Sequence, residues 1–536
     1  MKKLFTLIVI ALCLKTNAQT TISGGSIYGT WTQANSPYLI QSAIMIPADS
    51  TLIISPGVTV QFQGNYKLWA LGRLIAIGTI SDTIVFTCNN PSIGWTGISY
   101  DNTTTSPDTS FFEYCRFEYG NASVSPNTSG GAISFSNNSK GIVTHSRFRN
   151  CYASIGSGAI QYGNTRCISY CLFENNSSQT CGAIGGGFAG NSCEISYNTF
   201  IGNYCTGDYG GAIGSWGHDI IKNNVFYNNT SYGSNYAGGA IYCGSSSSLN
   251  IYNNKFYNNS SINNGAGAIY CLGTPIISNN VFSNNSGPMG GAIICDGALP
   301  NITNNTFMNN FSNYGGAIYC LNTGYPILSN TILWGDSASV SGKEIYLADQ
   351  SNGPTISYCD MQGGQSSIGL ANNIFYLGIY TNNIASNPLV VNPSAGIGLS
   401  YNGLSTNLSL TGNSPCINTG NPTGTYPTTD IAGNPRIYGS SIDIGAYELQ
   451  SPAGISQYSN LNTNISVYPN PNNGSFVIEP QNTIHCTVYD VNGKAVLSQI
   501  INGKINIDAN NLSEGVYNIS LQSNEGVVNK RLVIVR

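Results

Sequence analysis

Residues 238–243 read Gly-Gly-Ala-Ile-Tyr-Cys, and the phrase returns as Ala-Gly-Ala-Ile-Tyr-Cys at 266–271, Gly-Gly-Ala-Ile-Ile-Cys at 290–295 and Gly-Gly-Ala-Ile-Tyr-Cys at 315–320. Its Gly-Ala-Ile core occurs at Gly131, Gly158, Gly182, Gly211, Gly239, Gly267, Gly291 and Gly316, at intervals of 24 to 29 residues. Between these cores lies a second phrase, an apolar or small residue, Phe, any residue and often Asn-Asn, with its ring at Phe148, Phe173, Phe200, Phe226, Phe256, Phe282 and Phe307. Two short strands per repeat follow. Self-similarity at this period marks a solenoid, in which each unit buries its apolar face only against its neighbours.

Alternation along a strand puts Ile241 and Cys243 on one face and Ala240 and Tyr242 on the other. With the apolar thiol inward, Tyr242, Tyr270 and Tyr319 are predicted to face solvent at one position of successive rungs, with Ile294 interrupting them, and Tyr227 and Tyr257 at another. Such rings either stack on sugars or anchor a partner, or they cover the sheet as cross-strand pairs. Each Phe is expected to plug its rung and stack on the next, and the Asn-Asn pairs to turn corners, where Asn tolerates left-handed backbone. Cys243, Cys271, Cys295 and Cys320 share one register, either as a buried thiol ladder or as bridges; no His accompanies them, which argues against a metal.

Earlier in the chain, Ser55-Pro-Gly-Val-Thr-Val-Gln-Phe62, Gly72-Arg-Leu-Ile-Ala-Ile-Gly78 and Trp95-Thr-Gly-Ile98 resemble the opening turns of secreted right-handed parallel β-helix proteins. The Gly-Gly-Ala-Ile repeats are similar to those of polymorphic outer-membrane-protein and pectate-lyase-like β-helices, and the resemblance covers about residues 46–345. That fold carries lyases, hydrolases, adhesins and passive stalks, so it implies architecture and leaves activity open. The expected class is all-β, a right-handed parallel β-helix over residues 19–413, clearest at 130–330, followed by a small C-terminal β-sandwich.

Three further segments frame it. Lys2 and Lys3, the apolar run Leu4–Leu14 and the small-residue site ending at Ala18 read as a signal peptide, residues 1–18. Within residues 414–448, Ser414-Pro-Cys-Ile-Asn-Thr-Gly420, Asp430-Ile-Ala-Gly-Asn-Pro-Arg436 and Ile442-Asp-Ile-Gly-Ala-Tyr-Glu448 resemble the closing signature of choice-of-anchor type Q surface proteins, with Asn418 where that pattern has Asp. This block is expected to cap the last rung's open strand edge. After a linker at 449–463, residues 464–536 carry Tyr468-Pro469-Asn470-Pro471 with Gly474, then Gly515, Tyr517 and Lys530, and resemble the type A sorting domain of type IX secretion. That resemblance implies handling by the type IX machinery and a place on the outer cell surface or in the medium.

Charged residues make up 8% of the chain and the net charge is −4, so no basic stripe is available for nucleic acid. Nor does any stretch after the signal reach the ~20 apolar residues of a membrane span. A glycoside hydrolase needs two carboxylates straddling the bond, and a pectate-lyase-like enzyme needs a carboxylate cluster for calcium with an Arg or Lys base. In a solenoid these must share a register. Arg149 and Glu174 do, as a surface ion pair, whereas His145 and His218 do not. Asp208, Asp219, His218 and Glu194 are the remaining candidates for an acid/base or metal group, and neither a metal nor a cofactor is expected. The reading is a non-catalytic adhesion or carbohydrate-binding protein that engages polysaccharide or another surface, the alternatives being a polysaccharide lyase or hydrolase and, third, a structural stalk.

Overall fold

A computed structural model describes residues 19–535 except 101–108, 136–138, 164, 166, 188–190, 351–352, 425, 451–464, 481–482, 491–493 and 524–525. The signal segment and most of the linker lie outside the described residues. The chain forms two compact units, Met1–Pro452 and Ala453–Arg536.

In the first unit each repeat supplies one strand to each of three parallel sheets, and among the described residues each sheet has 14 strands. The first sheet runs from Thr20–Ile22 to Asp360–Met361, the second from Gly25–Ser26 to Gly369–Leu370, and the third from Gly29–Trp31 to Tyr380–Thr381. The coil is a parallel β-helix with its core along the axis, and no α-helix occurs among the described residues. On the first sheet Phe117, Phe148, Phe173, Phe200, Phe226, Phe256, Phe282 and Phe307 pair rung to rung. From Phe148 onward their rings stack inside the coil at 4.5–4.9 Å. On the second sheet Cys243, Cys271, Cys295 and Cys320 stack likewise, fully or almost fully buried.

All 15 described cysteines are unpaired thiols, and all but Cys167 are buried. Burial pushes the Cys151 and Cys171 thiols up to about 12, which keeps them protonated and unreactive at neutral pH. A water-soluble thiol reagent is therefore expected to label Cys167 alone in the native protein and the others only after denaturation, as read by peptide mass spectrometry.

The repeat's glycine has a steric origin. A Cβ on Gly239 would lie 2.1 Å from the Gly267 carbonyl oxygen, and one on Gly267 would lie 2.0 Å from that of Gly291. Successive backbones approach here too closely for any side chain.

The Asn-Asn pairs divide two roles. The first Asn takes the left-handed corner, with φ of 54° at Asn228, 53° at Asn258 and 59° at Asn284. The second turns inward and builds a ladder. Asn176, Asn203, Asn229, Asn259, Asn285 and Asn310 each donate Nδ2 to the next rung's side-chain oxygen at 2.8–3.0 Å, ending on Asp336. Each Nδ2 also donates to a core phenylalanine's carbonyl. A parallel ladder runs through Asn198, Asn224, Asn254, Asn280 and Asn305 to Thr331.

Two expectations are corrected. Tyr242, Tyr270 and Tyr319 point outward but are only 4%, 6% and 9% exposed. The loops after the phenylalanine strands stack as further short strands, Tyr209–Gly210, Ala237–Gly238 and Gly265–Ala266. The tyrosines pack in one apolar cluster with Ala266, Tyr209, Trp216, Met289 and Tyr314. Alternation decides the side of the sheet and is silent on what lies beyond it.

The closing block, expected over the end of the coil, meets the last rung only at its start, where the Cys416 thiol lies 3.2 Å from Asp360 Oδ2. It then runs back along the outer face of the first sheet. Residues 385–450 form a strap there, placing Leu408, Ala446 and Tyr447 against Tyr257, Val281, Met308 and the half-buried Tyr227. Corner asparagines grip both of its edges. Asn258 bonds Tyr401 and Gly403, and Asn284 bonds Gly396 and Gly398. Across the sheet, Asn279 bonds Thr429 and Asn330 bonds Asn421.

The strap has almost no regular structure, so side chains satisfy its backbone. Asn418 Oδ1 accepts from Ser440 and Ser441 N–H. Asp430 holds the Ala432, Asn434 and Glu448 N–H groups, and Asp443 those of Asn418 and Leu449. Arg436, 1% exposed, lies among these carboxylates and donates to the Gly445 carbonyl.

The second unit is a sandwich of two antiparallel sheets. One contains Ser466–Tyr468, Ser475–Glu479 and Ile505–Asp508, and the other Ile484–Tyr489, Ala495–Ile501, Gly515–Ser523 and Gly526–Ile534. They share one core, which includes Phe476, Ile478, Val488, Ile519 and Leu532.

Candidate functional site

The four acid/base candidates do not converge. Asp219 faces the interior, fully buried, and its carboxylate accepts from the Tyr162 and Ser215 hydroxyls and the Cys193 N–H. Burial pushes its carboxyl up, and those hydrogen bonds pull it partly back. His218, one residue earlier and exposed, turns outward to Ser248 at 2.7 Å. On the outside of the third sheet, Glu194 pairs with Lys222 at 3.1 Å and accepts from Ser196. Asp208 caps the Asn235 N–H in a loop. Strand alternation separates neighbours in sequence: Asp219 goes in while His218 goes out. Among the described residues no group of three or more His, Cys, Asp or Glu is arranged to hold a metal.

A different constellation forms where the strap stops. The strap contacts reach back to Tyr227 and Val225, and past the next rung, which carries Thr199 and Ile201, the outward residues of the first sheet become largely charged. Arg116 pairs in register with Arg147 and Leu172, and Glu118 with Arg149 and Glu174. Arg116 Nε lies 3.4 Å from Glu118 Oε1, and Arg149 Nε lies 3.6 Å from Glu174 Oε2, which also accepts from Arg147 Nη2. The expected Arg149–Glu174 register is present, and Arg147 makes the closer contact with Glu174.

Along one rim of this open face Tyr114, His145, Tyr170 and Tyr197 all take left-handed backbone, with φ of 48–56°. Their rings stack in series at centroid distances of 4.8, 4.9 and 4.8 Å. Tyr170 and Tyr197 are 52% and 49% exposed. The same corner on the strapped rungs carries Asn279, Asn304 and Asn330. Sequence reasoning missed this row although its signal was present: each member lies three residues before a core phenylalanine, at Phe117, Phe148, Phe173 and Phe200. His145 shares its register with these tyrosines and not with His218.

In the second unit Asn470 ties its loop to the C-terminal strand, donating to the Arg531 carbonyl and accepting from the Val533 N–H. Tyr468 donates to Glu479, and Tyr517 donates to the Ser513 carbonyl. Gly474 and Gly515 have positive φ, and Lys530 is exposed on the last strand. Pro469 and Pro471 flank Asn470.

Comparison with known proteins gives one family. Residues 466–535 match the secretion system C-terminal sorting domain. The protein is therefore exported, to the cell surface or the medium, and is handled by the type IX machinery. No helix among the described residues is long and apolar enough to cross a membrane. No curated protein matches the chain. Among solved structures it is similar to the pectate lyase Pel9A, at 12% identity over 81% of this chain and 98% of that one, with a TM-score of 0.27. It is also similar to the PL6 family alginate lyase AlyGC, at 14% identity over 60% of this chain and 51% of that one, with a TM-score of 0.26.

Proposed function

We propose that this exported β-helix is a non-catalytic binding protein that holds an extended polysaccharide on the open part of its first sheet. The observation that carries this reading is the change of surface beyond the strap. Where the chain's own strap ends, the corner changes from Asn223 to Tyr197, the last of the stacked aromatic rings, and past the uncharged Thr199 and Ile201 the outward row carries Glu174, Arg149 and Arg147. An apolar row suits a permanent cover. Charged side chains beside exposed rings suit a hydrated ligand, since tyrosine offers large contact area with a polar tip.

Catalysis fits the face less well. Its carboxylates, Glu118 and Glu174, are each engaged by an arginine, which leaves no pair poised across a glycosidic bond.

The test uses the full chain and a panel of labelled polysaccharides resolved by size, with and without calcium. Co-elution of intact polymer with the protein is expected. Substituting Tyr170→Ala and Tyr197→Ala together should weaken binding by about tenfold, at roughly 0.5–1.5 kcal/mol per ring. Shortened polymer would overturn the reading in favour of a lyase or hydrolase, and binding unchanged in the double variant would overturn the assignment to this face.

A further inference from the structure

One rung departs from the repeat twice, and both departures are acids. Where eight rungs have alanine before the strand isoleucine, from Ala132 to Ala317, the next has Glu344 before Ile345. Where the inner ladder has asparagine, it has Asp336, whose Oδ1 accepts from Asn310 N–H and Nδ2 at 2.6 and 2.8 Å. Both side chains are buried, at 3% and 0% exposure. Asp336 Oδ2 and both Glu344 oxygens have no hydrogen-bond partner of good geometry, and the Asp336 N–H is the donor group that acts on Glu344. By the ladder's repeat, Asp336 Oδ2 stands where every preceding asparagine has an NH2 that donates to a phenylalanine carbonyl. The two carboxyls are within hydrogen-bonding reach of each other. Two buried carboxylates so placed cannot both be ionised; one proton between them supplies the missing donor.

We propose that Asp336 and Glu344 form a proton-operated latch: the shared proton closes the last rungs of the coil, and its loss opens them and frees the strap seated there. The strap bears on this place directly. Cys416 and Ile444 pack with Ile332, and Cys416 contacts Asp360, the third acid acting on Glu344. Asp360 in turn accepts from the Ser386 N–H. The other titratable groups nearby are Cys359, beside Asp360, and Asp443, which acts on Cys416 from within the strap. Lys343 is exposed, and among the described residues no basic side chain pairs with any of the three acids.

The sign follows from linkage. Burial pushes Asp336 up to about 7, and burial together with Asp336 raises Glu344 well above its ordinary value. Both values lie above the ordinary carboxylate range of ~4. Above the ordinary range the folded state thus holds protons that the unfolded chain has released, and the stability fully present below ~4 is lost progressively as pH rises from there through the folded values, about 7 at Asp336 and the raised value at Glu344.

Hydrogen exchange of the full chain, corrected for intrinsic rate, tests this from pH 6 to pH 9. Protection across residues 330–450 is expected to fall by up to about tenfold per pH unit relative to the rungs at 130–230. Asp336→Asn and Glu344→Ala each restore the repeat's own residue and should fold at least as well as the parent; together they should reduce the dependence to the part owed to Asp360 and Glu448, which burial raises to about 6 and about 7. A pH-independent parent, or a dependence undiminished in the double variant, overturns the proposal. Protection at pH 6 that a chelator abolishes would also overturn it, by placing a cation where the proton is inferred.

Discussion

Asn259→Leu is expected to destabilise the solenoid by about 4 kcal/mol, although it changes no charge and keeps the branched shape of the side chain. Asn259 is fully buried; its Oδ1 accepts from Asn229 N–H and Nδ2, and its Nδ2 donates to the Phe226 carbonyl and to Asn285 Oδ1. Leucine leaves the Asn229 N–H, one Asn229 amide proton and the Phe226 carbonyl short of a partner, at ~1–3 kcal/mol for each buried orphan. Because each rung is stabilised by its neighbours, the loss spreads along the stack. Chemical denaturation followed by far-UV circular dichroism reads it. Asn250→Leu, on the outer face of the third sheet, is the control and should lie within ~0.5 kcal/mol of the parent. Equal losses at both positions would show that the ladder contributes no more than a surface amide.

Arg436→Met should release the strap and leave the coil standing. The guanidinium is 1% exposed, bonds the Gly445 carbonyl, and lies against the Asn304 side-chain oxygen once that amide is oriented to accept from it. Burial lowers its pKa to about 10, and Glu448, Asp430 and Asp443 oppose the shift, so it remains charged at neutral pH. Methionine keeps the length and leaves three largely buried carboxylates without a counter-charge, which costs about 3 kcal/mol or more when one side of a buried ionic group is removed. Amide exchange across 385–450 should accelerate by about a hundredfold, since 1.4 kcal/mol is a factor of ten, while rungs 130–230 keep their protection. A strap protected as before would mean that the corner asparagines Asn258, Asn284, Asn279 and Asn330 suffice to hold it.

The two results report different layers of one design. The inner asparagine ladder belongs to the rung and is repeated with it. Arg436 belongs to a segment with no repeat, whose backbone is satisfied by Asp430, Asp443, Glu448 and Asn418. Asn418, where the resembling pattern has Asp, still accepts two backbone N–H groups. An amide oxygen serves there because the task is to accept hydrogen bonds and carries no need for charge.

Much of the candidate site lay in the sequence unread. Tyr114, His145, Tyr170 and Tyr197 share an offset of three residues from their phenylalanines, so their register was available. Their exposure was not, because it depends on where the strap stops. The solvent exposure expected of Tyr242 and Tyr257 is absent for the same reason: both obey the strand alternation, and other parts of the chain bury them.

The repeat by itself determined the rung: inward Phe226 and Cys243, the close-packed Gly239 and the left-handed corner at Asn228. These follow from local periodicity and backbone sterics, which act within one repeat and its neighbours. Only the tertiary structure decided which outward residues meet water, which acids are paired and which asparagines grip a strap. Those outcomes rest on contacts such as Tyr257 with Ala446 and Asp360 with Cys416, made between segments far apart in the chain, and no spacing within a repeat encodes them.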